Sequence, residues 1–390
     1  MTAIPRAPAG EEQQEALILQ SVDRFLEREV RPVVRALEAA DTYPAAMVEK
    51  LATLGLFGAT IGPAHGGLGL SAVTYARIIE RMSAVWISVP GFINSHLIMA
   101  AAVERYGTGE QKQRYLSRFA SGELRGGIGL TEPDCGTDLQ AIRTHARREG
   151  DHYIVNGAKT WITNSAEGNI LAVLVKTDTR AQPPHRGISL LLIEKGPGFK
   201  VVRKLDKLGY RGIDTAELLF EDCRVPVANL IGPDEGRGLQ QVLNGLELGR
   251  INVAARGAGL ARACLEEALR YAQQRRTFGK PIAEHQAIQV KLADMATRVE
   301  AARLLVESAA RAYDAGNRCD MEAGMAKLFA TEAALENSLE AMRIHGAYGY
   351  SKEFNIERYY RDAPLLAIGE GTNELQRIII ARELVKRNPA

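Results

Sequence analysis

Glu370 stands between Gly369 and Gly371 in the stretch AIGEGTNELQR (367–377). Two flanking glycines weaken a helix, so the window reads as a turn. Either a helix ends at Leu366 or Ala367 and the carboxylate faces water, or the turn projects it into a cavity where another molecule can approach the backbone. Three other clusters place chemistry-bearing residues close together. LTEPDCGTD (130–138) offers hydroxyls and amides from Thr131, Gly136 and Thr137. These could hydrogen-bond a polar heterocycle or phosphate, or form an ordinary Gly loop. In KTWITNS (159–165), Trp161 and Thr163 share a face if the segment is a strand. The indole then packs in a core or stacks against a flat ring. RRTFGKPIAEHQAIQ (275–289) interrupts two helical stretches. Arg275 and Arg276 there either cap carbonyls or bind a diphosphate, and Phe278 and His285 either pack or join them. No GxGxxG or GxxxxGK[ST] loop is present, so a nucleotide cofactor would be held by other means.

The elements that position these clusters fall into three blocks: 1–125, 126–235 and 236–390. The first is helical. Apolar positions recur at helical spacing in EEQQEALILQSVDRFLEREVRPVVRALEAA, with Pro32 kinking or ending the first helix. MVEKLATLGLFG is a short helix, PAHGGLGLS a glycine-rich loop, and Ser71 the cap of AVTYARIIERMSAV. Two more helices follow, VPGFINSHLIMAAAVERYG and GEQKQRYLSRFASG. The middle block is turn-punctuated and β-rich, six to eight short strands, with an Asn-Gly hairpin signal in HYIVNGAKTWI. The last block is alanine-rich and helical, four long segments that make a four-helix bundle. The expected class is α+β: helical domain, β domain, helical bundle.

Totals narrow the function. The 390 residues carry 49 basic and 47 acidic side chains, a net charge of +2. That balance gives no reason to expect nucleic acid or a membrane surface, which favour a concentrated basic patch. No run of about 18 apolar residues suggests a spanning helix, and MTAIPRAPAGEEQQEA lacks an apolar signal core. Cys135, Cys223, Cys264 and Cys319 lie far apart, as do the seven histidines, so no metal site is expected. Reduced thiols and a cytoplasmic location are expected.

The motifs LTEPDCGTD, KTWITNS, GYRGIDTAELLFEDCRVP, RRTFGKPIAEHQAIQ, IHGAYGY and YRDAPLLAIGEGTNE, in this order, resemble the acyl-CoA dehydrogenase family of flavoproteins over nearly the whole chain. The resemblance implies a homotetramer, a dimer of dimers. It implies FAD between the β domain and the C-terminal bundle, with part of each site supplied by a neighbouring subunit. Ile128, Leu130, Thr131, Gly136 and Thr137 would line the flavin, with Trp161 and Thr163 at its ring. Arg275, Thr277, Phe278, Gln286, Arg343, Gly346 and Ala347 would reach the FAD of the adjacent subunit, and Thr372, Asn373 and Glu374 would return to the first. Thr137, Glu247, Arg250 and Gly371 would contact the CoA thioester.

Glu370 matches the family's catalytic base, which takes the α-proton of an acyl-CoA while the β-hydrogen leaves as hydride to flavin N5. The thioester carbonyl would be polarised by the Glu370 backbone amide and a ribityl hydroxyl, an oxyanion-type arrangement. A dry pocket would raise the carboxyl's pKa. A minority of the family carries its base at the position of Gly249, which has no carboxylate here. Ile128, Arg343 and Ala347 depart from common residues at their positions. Gly369 replaces a frequent tyrosine, which points to a short, branched or bulky acyl group. Ser88 stands where glutaryl-type relatives use arginine, which speaks against a dicarboxylyl substrate, and WISVPGFINSH (86–96) is expected to line the acyl end. The implied acceptor is an electron-transferring flavoprotein. Lyase-like chemistry without oxidation, an oxidase using oxygen, and a non-catalytic scaffold are the alternatives.

Overall fold

The computed structural model describes residues 9–389. Six helices come first: α1 (Ala9–Phe25), α2 (Val34–Ala40), α3 (Ala45–Thr53), α4 (Ala72–Val85), α5 (Ser88–Tyr106) and α6 (Gly109–Ala120). The expected break at Pro32 is a π-helical turn over Leu26–Val30 followed by a tight bend. Ser71 caps α4, its hydroxyl accepting from the Thr74 N–H at 3.1 Å. α5 is apolar almost all round, as a helix enclosed on every side must be.

A seven-stranded sheet follows: β1 (Gly126–Gly129), β2 (His145–Glu149), β3 (His152–Thr163), β4 (Ile170–Lys176), β5 (Ile188–Glu194), β6 (Phe199–Lys204) and β7 (Thr215–Pro226). Its order is β1-β4-β2-β3-β7-β6, with β5 also paired to β4. β4 reads ILAVLV without polar alternation because both its faces are covered. Ile170, Ala172 and Leu174 join the core shared with the helices, and Leu171, Val173 and Val175 the core on the other face.

The Asn-Gly pair in this block does not make a hairpin. β3 runs straight through it as one twelve-residue strand. Asn156 exchanges two hydrogen bonds with Asp222 of β7, at 3.0 and 2.9 Å. At Gly157 (φ +141°) the backbone passes so near Thr144 that a Cβ would lie 2.6 Å from Thr144 Cα. Tertiary pairing thus converts a turn signal into a bulge.

The last block holds α7 (Gly238–Gln274), a small hairpin of β8 (Arg276–Thr277) and β9 (Lys280–Pro281), then α8 (Gln286–Asp314), α9 (Asp320–His345), α10 (Ile356–Ile368) and α11 (Asn373–Arg387). α10 joins the four long helices read from the sequence, and carries Pro364 inside it. α7 is the spine of the block. A Cβ on its Gly257 would lie 2.6 Å from the Ala330 carbonyl of α9, and one on Gly259 2.2 Å from the Glu80 carbonyl of α4, so small residues let three helices touch. Among the described residues no helix is long and apolar enough to cross a membrane, no group of His, Cys, Asp or Glu could hold a metal ion, and all four cysteines are free and buried.

Candidate active site at the Glu370 turn

The turn between α10 and α11 carries Glu370 in the left-handed region, φ +54°, followed by Gly371 at φ +89°. Thr372 caps α11, accepting from the Leu375 N–H at 3.3 Å. This backbone aims the Glu370 carboxylate inward. Its Oε1 accepts a hydrogen bond from Asn94 Nδ2 of α5. Its Oε2 is buried with no partner among the described residues. That oxygen faces Gly249 of α7 so closely that a Cβ there would lie 2.3 Å away. Burial pushes the carboxyl above its ordinary value, opposed by Arg256, the Asn94 hydrogen bond, Lys327 and Arg250. The group is a secluded carboxylate with one free lone-pair oxygen and a pKa moved towards that of a useful base.

Lys327 of α9 holds the turn. Its buried ammonium donates to the Ala367 carbonyl (3.1 Å), the Gly371 carbonyl (2.9 Å) and Asn373 Oδ1 (2.9 Å). Burial brings it down to about 8, with Glu370 the first of the carboxylates that oppose the shift. The sequence marks Asn94 only as part of the WISVPGFINSH stretch (86–96), and Lys327 not at all. The available signal was a cation on the buried alanine stripe of α9 (Ala323, Ala326, Ala330) and an amide between apolar stretches of α5.

The other clusters lie in two places. Around the end of β1, Ile128, Leu130 and Thr131 are half-buried, and Gly136 and Thr137 are exposed on the loop that follows. Lys159 braces this loop from beneath, donating to the Leu130 carbonyl at 3.0 Å and to Glu132 Oε1 at 2.8 Å. Glu132 also accepts from the Arg143 and Thr144 N–H groups. Burial pushes its carboxyl up, but Lys159 and these donors outweigh it and hold it below the usual range. Trp161 is not core. It is 59% exposed, turned out by a left-handed backbone (φ +60°) within a second bulge of β3. Thr163, half-buried, meets the Thr215 hydroxyl at 3.3 Å. An open indole plane beside a loop of hydroxyls and amides suits a flat, polar heterocycle such as a flavin.

The second place is the far end of α7. Gly249 and Arg275 are 26 residues apart on or at the end of one helix, about 39 Å of rise. Arg275 caps that end, and Phe278 and Gly279, both with positive φ, form the two-residue turn of the β8–β9 hairpin. The Phe278 ring is 96% exposed rather than packed. Thr277 meets His285 Nε2 at 3.0 Å. Gln286 opens α8, and Arg343, Gly346 and Ala347 lie exposed at the end of α9. The fold gathers these residues with one another and not with Glu370.

Of the substrate candidates, Gly371 is in the turn itself. Arg250 is buried and paired with Asp320 at 2.9 Å, leaving its Nε without a partner among the described residues. Glu247, one turn before it, is buried, and burial followed by Asp320 pushes its carboxyl up. Glu374 is exposed in the first turn of α11. Ser88 is closed off at the start of α5, donating to the Arg211 carbonyl at 2.7 Å.

Comparison with known proteins matches these parts in sequence. Residues 11–123 match the N-terminal domain of acyl-CoA dehydrogenases, residues 127–223 the middle domain and residues 236–385 the C-terminal domain. The chain is 40% identical over 375 residues to an acyl-CoA dehydrogenase of Bacillus subtilis, covering 96% of this chain and 98% of that protein. It is 40% identical over 373 residues to the human mitochondrial short-chain specific acyl-CoA dehydrogenase, covering 95% and 90%. The solved butyryl-CoA dehydrogenase of Megasphaera elsdenii superposes with a TM-score of 0.93 at 34% identity, covering 98% of this chain and all of that one. The chain belongs to the acyl-CoA dehydrogenase family, FAD-dependent oxidoreductases that act on the CH–CH group of acyl-CoA thioesters.

Proposed function

We propose that this protein catalyses α,β-dehydrogenation of a short or branched acyl-CoA to the trans-2-enoyl-CoA, with Glu370 taking the α-proton. The observation that carries it is the free Oε2 of a secluded carboxylate, held in a left-handed turn with its other oxygen tied to Asn94. A base with one oxygen anchored and one open is oriented for proton abstraction before substrate arrives. Gly249, lacking a side chain, lets that oxygen seat directly against α7. The Glu370 backbone amide would polarise the thioester carbonyl and make the α-proton acidic. Gly369 supports the short or branched acyl group, since no side chain stands before the base.

The β1-end loop with Thr131, Gly136 and Thr137, and the open Trp161 face, would hold FAD, with Thr163, Thr372 and Glu374 alongside. Bound there, FAD supplies the acceptor for the β-hydride. Arg275, Thr277, Phe278, Gln286, Arg343, Gly346 and Ala347 would serve the FAD of a second subunit. The roughly 39 Å of α7 between the two groups supports sites shared between subunits, and the proposed assembly is a homotetramer. Thr137, Glu247, Arg250 and Gly371 would contact the CoA thioester. The proposed electron acceptor is an electron-transferring flavoprotein, and the proposed compartment the cytoplasm.

The test is anaerobic. Purified holoenzyme mixed with a panel of acyl-CoAs should lose its visible flavin absorbance with short or branched thioesters. Glu370→Gln should still bind them and reduce at least about 10³-fold more slowly. Unchanged bleaching in that variant would remove Glu370 as the base. A flavin that no acyl-CoA reduces would remove the reaction.

A further inference from the structure

Arg256 of α7 is 4% exposed, yet no carboxylate among the described residues pairs with it. Nε donates to Asn252 Oδ1 at 2.8 Å and Nη1 to the Tyr210 hydroxyl at 3.2 Å, over whose ring the guanidinium lies at 5.6 Å. Only two of its five N–H donors are thereby used, both on neutral acceptors. A buried cation is expensive unless an anion or strong acceptor faces it. Arg262 on the same helix shows the contrast, with carboxylate oxygens of Glu80 and Glu266 at 3.0 and 2.8 Å.

Its position says what could face it. Arg256 follows Gly249 by seven residues, two turns, so both lie on one face of α7 about 10 Å apart along the axis. Gly249 is the residue against Glu370 Oε2. Across from it, α5 repeats the order: Asn94 bonds Glu370, and three residues earlier Gly91 packs against the Tyr210 hydroxyl that holds Arg256. α5 and α7 therefore both contact the base, and two turns further along α7 stands an arginine that lacks a carboxylate partner among the described residues. The two charges act on each other, Arg256 ahead of Lys327 and Arg250 among the cations that oppose the rise of Glu370, but no ion pair joins them.

We infer that Arg256 is a specificity-determining residue for the end of the acyl group, and that the preferred substrate is a short acyl-CoA terminating in a carboxylate. This rests on the dehydrogenase reading above. The cation that Ser88 does not supply from α5 would come from α7, with Tyr210 fixing the guanidinium plane. A carboxylate there takes the bidentate partner an arginine fork fits. An alkyl end would leave the buried charge facing hydrocarbon.

The experiment compares glutaryl-CoA with pentanoyl-CoA on the holoenzyme, by anaerobic flavin reduction and by titration calorimetry with their non-oxidisable thioether analogues. Wild type should favour the carboxylate-ended ligand at least tenfold in both. Arg256→Gln, which keeps a side chain able to bond Asn252 and Tyr210, should lower that ratio at least tenfold. The ratio is the readout because Arg256 also acts on Glu370. Equal or reversed preference in wild type overturns the inference without recourse to any variant, as does a ratio unmoved in a folded, flavin-loaded Arg256→Gln. Selective binding without flavin reduction would uphold Arg256 and defeat the proposed reaction instead.

Discussion

Gly249→Ala tests how closely the base is seated. The added Cβ would lie 2.3 Å from Glu370 Oε2 and 2.9 Å from Ile98 Cδ1, against an ordinary contact of 3.4 Å or more. The isoleucine methyl can rotate aside. The carboxylate cannot retreat far, because Oε1 is tied to Asn94 and the turn is clamped by Lys327. Oε2 must therefore move by about 1 Å, a displacement that costs on the order of 10²-fold in rate when it affects a reacting group. That is about 2.7 kcal/mol of transition-state stabilisation. Stability should fall only modestly, since the gain of about 1 kcal/mol for alanine over glycine inside a helix partly offsets an overpacking cost of about 1–3 kcal/mol. The assay pairs anaerobic flavin reduction by butyryl-CoA with the urea unfolding midpoint. Reduction slowed about a hundredfold in a folded protein destabilised by no more than about 2 kcal/mol is the expected result. In the background of Glu370→Gln the same methyl should add little, because it acts through the carboxylate. Reduction within threefold of wild type, or an equal penalty in the Glu370→Gln background, would refute the argument.

Two further outcomes follow from the clamps. Lys159→Met leaves Glu132 buried beneath the β1-end loop without its ammonium, which should cost about 3–5 kcal/mol in urea unfolding and lower the FAD content of the purified protein; a loss under 1 kcal/mol with full flavin would count against a bracing role. The pH profile of flavin reduction should have two limbs. On the acid side the rate falls as Glu370 is protonated, at a pH above the ordinary carboxylate value because burial raises it. On the alkaline side it falls near pH 8 as Lys327, brought down to about 8, loses one of the three donors it needs for three acceptors. The folded state releases that proton before the unfolded chain does, so between pH 8 and roughly 10 the burial penalty of this group is relieved and stability rises with pH rather than falling. An alkaline limb that tracks unfolding, or none up to pH 10, would be the contrary result.

Local signals read well where the local chain decides. Ser71 starts α4, and the 3.6-residue pattern gives its full length, because cap and apolar stripe both belong to the segment. Residues 156 and 157 went astray because Asp222, far along the chain, takes the Asn156 amide that a turn would have used. α10 was visible only as the helix before the Glu370 turn, and Pro364 inside it hid its place in the bundle. Trp161 was legible by type but not by direction, since its backbone reversal belongs to a bulge set by the partner strand. Glu370 stood out through its glycines. Lys159, Lys327 and Arg256 did not, because a lysine or arginine in a strand or helix looks like a solvated face until its burial is seen.

α7 ties two distant places to one rigid rod. On the proposed sharing of sites, each complete site takes the Gly249 end from one chain and the Phe278 end from another. A defect at either end would then be local to one contribution, and two chains with opposite defects could rebuild some intact sites in a mixed assembly. Two chains damaged at the same end could not. Genetic damage to this protein would thus fall into two complementing groups, sorted by position along a single helix.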